Sequence, residues 1–309
     1  MFSNIILTVL SFLIINSTWF VPGVLDINNL IDKIEIKPGV LSKDIKIIKS
    51  KVLENYSNKE DEFKVDAGKA VIYDPKADIF LYQKNSQEVQ SIASITKLMT
   101  ALVVIDQNPD WQDSYQITKE DRKNGGRIYL FLGDKVKIED LFNLSLVGSA
   151  NTATSALIHS LNLSEDEFVS LMNEKAKNLN LKNTNFSDPI GLSPNNVSTA
   201  KEVALLTKEA LSNNKIKDTL SQVVYNTETK QGKKITAEST NLLLSEDVKP
   251  QSLSVIAGKT GYINESGFCF SSWYSDSNQG EIITVVLDAE TVFSRFEDSL
   301  KLSKWIYNY

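Results

Sequence analysis

An α+β fold is what the sequence predicts, and two observations carry the expectation. Strand-like runs stand at both ends of the globular part, with a helical stretch between them. Hydrophobic content of 42% and charged content of 23% suit a folded domain of ordinary composition. The sheet is expected to join an early hairpin to strands near the end of the chain.

The elements follow in order. Residues 69–73 (KAVIY) and 79–82 (IFLY), separated by Asp74-Pro75, read as a hairpin. Residues 94–106 read as a helix, because Ile95, Leu98, Met99, Leu102 and Val103 recur at helical spacing. Asn124-Gly125-Gly126 is a turn signal. Residues 138–161 supply one or two helices, and residues 165–179 another. Residues 182–196, with Pro189, Gly191 and Pro194, read as a loop. A helix over 198–211 would take Ser198 as its N-cap. Strands are expected at 223–227, 235–238, 253–263, 267–274 and 282–288, and a helix at 292–307 closes the pattern.

Composition removes several classes of function. The net charge is −6, with 33 Lys and Arg against 39 Asp and Glu, which argues against nucleic acid as the main partner. There is one histidine, His159, and one cysteine, Cys269. An intrachain disulfide is excluded, and a Cys/His zinc site lacks ligands. A His-based triad would have to use His159. His159 reads as a structural helix residue and Cys269 as a packed strand residue between Phe268 and Phe270.

Residues 1–25 carry no charged side chain, and the apolar run from Ile5 to Leu25 is long enough to span a bilayer. No basic n-region or A-x-A cleavage site is present, so residues 1–25 read as an uncleaved membrane anchor through 5–25 or an atypical signal segment, leaving the chain N-terminally anchored or secreted. Residues 26–62 read as a stalk or linker, and 63–309 as one catalytic domain.

Three short motifs carry chemistry. Ser94-Ile95-Thr96-Lys97 puts a hydroxyl and an amine on one helical face. A serine needs a base to become a nucleophile, and a buried lysine near a helix N-terminus can serve. S-x-x-K recurs at Ser198 and Ser212, but only the first is followed by a long apolar helix. Ser149-Ala150-Asn151 follows Gly148, where a break between two helices would turn both side chains into one cleft. Lys259-Thr260-Gly261 lies on a predicted strand, and glycine there lets a substrate approach the backbone. Each motif alone is weak. Together, in this order, they form a known catalytic set.

On these motifs, and on the stretches Ala70–Asn85, Asn183–Leu192 and Ala257–Phe270, the chain resembles the low-molecular-mass penicillin-binding proteins that act as serine D-alanyl-D-alanine carboxypeptidases. The likeness covers about residues 64–309. It implies a serine β-lactamase/penicillin-binding-protein-like fold, with a five-stranded antiparallel sheet flanked by helices. It further implies that Ser94 attacks the carbonyl between the last two D-alanines of a peptidoglycan stem peptide, and that Lys97 takes its proton. Ser149 would pass a proton to the leaving D-alanine, Asn151 would orient groups, and Lys259 would supply positive charge. Thr260 would bind the substrate carboxylate beside Gly261, and the backbone N–H groups of Ser94 and Tyr262 would form the oxyanion hole. Arg295 fits either the terminal carboxylate or a solvated helix start. β-Lactams would acylate Ser94, and no metal or cofactor is implied.

The resemblance has departures. Many relatives carry a second, all-β domain, and none is expected here past the closing helix. The middle motif is S-A-N rather than S-D-N, and no E-x-x-L-N deacylation motif occurs, which disfavours a β-lactamase. An endopeptidase acting on D-Ala cross-links would share all three motifs. An inactive wall-binding protein is disfavoured by the intact motif residues. Export of the catalytic domain to the outer face of the cytoplasmic membrane follows from the substrate.

Overall fold

The computed structural model describes residues 64–245, 253–276 and 280–307. The segments read as anchor and stalk lie outside the described residues. Among the described residues no helix is long and apolar enough to cross a membrane.

The chain first builds the expected hairpin. In β1 (Lys69–Asp74) the four central residues are buried, as in a strand covered on both faces. Val71 and Tyr73 enter one apolar cluster, while Ala70 and Ile72 enter the other. The period of two thus divides the molecule into two cores. β2 (Ile79–Lys84) returns beside β1, and Asp74 closes the turn by accepting the N–H groups of Lys76 and Ala77.

The next expected helix is divided. After β3 (Gln90–Ser91), residues Ala93–Thr96 wind as a 3₁₀ turn, and α1 (Lys97–Asp106) begins only at the lysine. The tight turn is held from outside, because the Ile92 N–H bonds to the Asn196 carbonyl. β4 (Ser114–Gln116) and β5 (Lys135–Lys137) then form a small ribbon. Helices α2 (Ile138–Leu146) and α3 (Asn151–His159) are separated at Gly148. Tyr129 packs there so closely that a Cβ on residue 148 would lie 2.8 Å from its ring. α4 (Glu165–Asn178) opens with a Ser164/Glu167 capping box.

β6 (Val197–Ser198) pairs with β3 and brings the loop 182–196 against the 3₁₀ turn. α5 (Ala200–Ser212) is capped by Thr199, whose hydroxyl accepts the Glu202 N–H. The expected cap, Ser198, instead shares a hydrogen bond with the Thr184 hydroxyl. After α6 (Asn214–Leu220), the strands β7 (Val224–Glu228) and β8 (Lys234–Glu238) pair only with each other. They therefore stay outside the main sheet. β9 (Ser254–Ile263), β10 (Gly267–Asp276) and β11 (Gly280–Ala289) complete it, and α7 (Ser294–Tyr307) ends the described chain.

The main sheet has the order β2-β1-β11-β10-β9, antiparallel throughout. This is the five-stranded sheet that the resemblance implied. Residues of α1 to α6 share a cluster with one face of the sheet, and α7 covers the other through Phe296, Leu302 and Ile306. β9 is an edge strand, and its neighbour in space is the turn that carries Ser94.

The loop 182–196 meets that turn through Gly191, at φ 90°. A Cβ there would stand 2.2 Å from the Ala93 carbonyl oxygen and 2.9 Å from the Ser94 nitrogen. Gly191→Ala is expected to cost about 1–3 kcal/mol, from the left-handed backbone and the contact together. Gly232→Ala is the control, since its φ of 84° is similar but its nearest neighbour is a flexible side-chain atom at 3.7 Å. Thermal unfolding should show the larger drop in Tm for Gly191→Ala. Equal drops would mean that the turn moves aside freely.

Candidate active site

A lysine held out of water organises the site. Lys97 is fully buried at the start of α1. Its Nζ lies 3.0 Å from Ser94 Oγ, 3.0 Å from Asn151 Oδ1 and 2.7 Å from the Ile190 carbonyl. Burial pulls its pKa from the ordinary 10.5 down to about 7, against the opposing pull of the Asp188 charge. That difference corresponds to about 5 kcal/mol of lost preference for the ammonium form. A neutral amine has two N–H bonds and one lone pair. Asn151 Oδ1 and the Ile190 carbonyl are pure acceptors and take the two N–H bonds. The lone pair is left facing the Ser94 hydroxyl, which can donate to it.

The Asn151 amide has its orientation set by the backbone around it. Its Nδ2 donates to the carbonyls of Asn124 and Gly125, both at 3.1 Å, so Oδ1 must face Lys97. The Asn124-Gly125-Gly126 turn, legible only as a turn in the sequence, thus orients a motif side chain. Six of the eight described non-glycine residues at positive φ are Asn or Asp, which tolerate that conformation. The other two are Ala93 and Ser149. One precedes Ser94 and the other is itself a motif serine, so the backbone strain is concentrated here.

From the edge strand, Lys259 Nζ donates to Ser149 Oγ and to the Thr260 carbonyl, each at 2.9 Å. Burial, with the charge of Arg295 and of Lys97 when protonated, pushes Lys259 well below the usual lysine range. Gly261 lets β9 close on the nucleophile turn. A Cβ there would stand 2.8 Å from the Ile92 carbonyl oxygen and 3.1 Å from the Ser94 nitrogen. Thr260 Oγ1 donates to Thr240 Oγ1 at 2.7 Å. Tyr262 is half exposed and stacks on Phe268 at 4.2 Å between ring centroids.

Arg295 is not a solvated helix start. It is 7% exposed on α7, and its Nη1 donates to the Gly261 carbonyl at 3.2 Å. Its guanidinium lies over the rings of Phe268 and Phe296, and burial lowers its pKa to about 10.

The three motifs therefore converge, although they lie on a turn, a helix break and an edge strand. Sequence reasoning missed the fourth wall, the loop that supplies the Ile190 carbonyl. Its only signal was the Asp188-Pro189-Ile190-Gly191 stretch, which spacing alone marks as a turn. His159 stays outside the cluster, with Nδ1 2.6 Å from the buried Asp121 carboxylate. Cys269 is buried, and burial pushes its thiol up to about 11, which suits packing rather than reactivity. Among the described residues no three His, Cys, Asp or Glu side chains converge on a metal site.

Comparison with known proteins agrees with this geometry. A D-alanyl-D-alanine endopeptidase of Pseudomonas aeruginosa is 31% identical over 249 residues, or 78% of this chain and 77% of that protein. The D-alanyl-D-alanine carboxypeptidase DacF of Bacillus subtilis is 29% identical, over 79% of this chain and 62% of its own length. Penicillin-binding protein D2 from Listeria monocytogenes, solved in a cefotaxime-bound form, superposes with a TM-score of 0.69 at 30% identity, over 80% of this chain and 100% of that one. The family model for D-alanyl-D-alanine carboxypeptidases matches residues 55–291, and to that family of serine peptidases this chain belongs.

Proposed function

We propose that Ser94, activated by Lys97, removes the terminal D-alanine from peptidoglycan stem peptides through an acyl-enzyme. The observation that carries this reading is the buried Lys97 amine within hydrogen-bond reach of Asn151 Oδ1, the Ile190 carbonyl and Ser94 Oγ, the last able to donate to it when it is neutral.

Ser94 Oγ attacks the carbonyl carbon between the last two D-alanines, and its proton passes to Lys97 Nζ. The oxyanion of the tetrahedral intermediate is held by the N–H groups of Ser94 and Tyr262, which the close approach of Gly261 brings near each other. Collapse breaks the peptide bond. The D-alanine amine leaves with a proton delivered through Ser149, which Lys259 holds in place. Water then adds to the ester carbonyl, gives up a proton to the base, and releases the shortened peptide. Thr260 and Arg295 supply donors for the terminal carboxylate. A β-lactam acylates Ser94 in the same way and leaves slowly.

An endopeptidase action on D-Ala cross-links is the second reading, favoured by the name of the Pseudomonas aeruginosa relative. The location also belongs to this proposal. The catalytic region acts on the outer face of the cytoplasmic membrane, with the apolar run 5–25 as its membrane anchor or export signal. What supports this is the uncharged apolar length of the first segment and the extracellular place of the substrate.

Three measurements test the reading. After incubation with a labelled penicillin, mass spectrometry should find a stable adduct on the Ser94 peptide. No adduct, or one that survives Ser94→Ala, would sink the nucleophile assignment. Second, a protonated Lys97 has no lone pair, so the acylation rate should fall as pH drops through about 7 and level off above it. Lys97→Ala should lower that rate by about 10²–10⁴-fold and remove the acid limb. A limb that persists in the variant would assign the base elsewhere. Third, digestion of a pentapeptide should release free D-alanine. Turnover of a cross-linked dimer alone would favour the endopeptidase.

A further inference from the structure

We infer that Asp188, outside the three motifs, is a positioning residue: its carboxylate gathers the turn that presents the Ile190 carbonyl to Lys97 and so aims the amine lone pair at Ser94. This rests on Lys97 being the base.

The turn is built around one side chain. Asp188 Oδ1 accepts the N–H groups of Ile190 and Gly191, each at 2.6 Å, and of Leu192 at 3.3 Å. Its Oδ2 accepts the Ser193 N–H at 2.6 Å. Four backbone donors converging on one carboxylate form a tight anion nest. With its N–H turned inward to Asp188, Ile190 directs its carbonyl to Lys97 Nζ, 2.7 Å away. A second side chain fastens the turn to the nucleophile. The buried Asn196 accepts the Ser187 and Asp188 N–H groups through Oδ1. Its Nδ2 donates to the Asp188 carbonyl at 2.7 Å and to Thr96 Oγ1 at 3.0 Å. Thr96 is the residue before Lys97, so base and turn share one rigid frame.

A carboxylate also does what a neutral acceptor would not. The groups that meet Lys97 from the 3₁₀ turn and from α3, Ser94 and Asn151, are uncharged. The charged groups acting there are Asp188 from this loop and Lys259 from β9, of which only Asp188 favours the protonated amine. Asp188 therefore bears on where the lone pair points and, against the larger effect of burial, raises the pH below which it is lost.

The test is the pH dependence of acylation by a labelled penicillin, with kcat and KM for a peptide ending in D-Ala-D-Ala, on the full chain. Asp188→Asn keeps one acceptor oxygen but loses the charge and the second acceptor. The acid limb should move about one pH unit lower, and the plateau should fall about 10- to 100-fold, in kcat rather than KM. Asn196→Ala should lower the plateau and leave the limb in place, because the charge remains. An Asp188→Asn limb that stays at the wild-type pH overturns the inference whatever the plateau does. Should Asp188→Asn not fold, Asp188→Glu carries the test. It keeps the charge on a longer arm, so a lowered plateau with an unmoved limb is expected, and a wild-type plateau overturns the inference. A wild-type enzyme without an acid limb removes the base assignment itself, and this inference with it.

Discussion

The burial of Lys97 is the constraint on which the rest of the site depends. An amine sealed from water favours its neutral form, and the neutral form is the one with a lone pair to offer. Burial alone would leave that lone pair pointing anywhere. Two acceptors from separate parts of the chain, Asn151 Oδ1 and the Ile190 carbonyl, take the N–H bonds and leave one direction open. The fold can then be understood as the means of holding three segments around one nitrogen: the start of α1, the start of α3 and the loop before β6.

Holding them there needs closer approaches than side chains allow. Gly261 lets the edge strand reach the Ser94 nitrogen, and Gly191 lets the loop reach the Ala93 carbonyl from another side. Between them Ala93 takes a left-handed backbone that alanine does not favour. The strain persists because hydrogen bonds surround it: Ile92 N–H to the Asn196 carbonyl, and Asn196 Nδ2 to Thr96 Oγ1. These bonds are worth about 1 kcal/mol each, enough together to offset a single strained residue.

How much of this was legible depends on whether the signal was local. The hairpin, the helix break at Gly148 and the late strands are written in alternation and glycine placement, and they appear within a few residues of where the pattern puts them. The three motifs were legible for the same reason, since each is a short run of side chains on one element. The split between the 3₁₀ turn and α1 was not, because a contact with Asn196, distant in sequence, sets it. Nor was the cap of α5, where Ser198 is drawn away by Thr184 and leaves the role to Thr199. The Ile190 carbonyl was invisible for a deeper reason: a backbone oxygen leaves no residue type to read. Arg295 was ambiguous in sequence because its partners, Gly261 and Phe268, come from the strands before it.

Two buried lysines and an arginine in one cleft pose a final electrostatic question. Burial above all, with the positive charge of Arg295 and of a protonated Lys97, presses Lys259 away from its charged form, and its own hydrogen bonds go to neutral oxygens, Ser149 Oγ and the Thr260 carbonyl. Apart from the Asp188 carboxylate, the cleft is thus rich in basic groups and short of anion. On the proposed role of Thr260, a ligand carboxylate there would reverse that balance, because nearby negative charge lowers the cost of protonating Lys259. By the same repulsion, a positive charge on Lys259 would disfavour one on Lys97. A peptide ending in D-alanine carries that carboxylate, and so do penicillins. On the proposed reading, ligands that lack it would be disfavoured, so the charge balance of the cleft would itself select for a chain terminus.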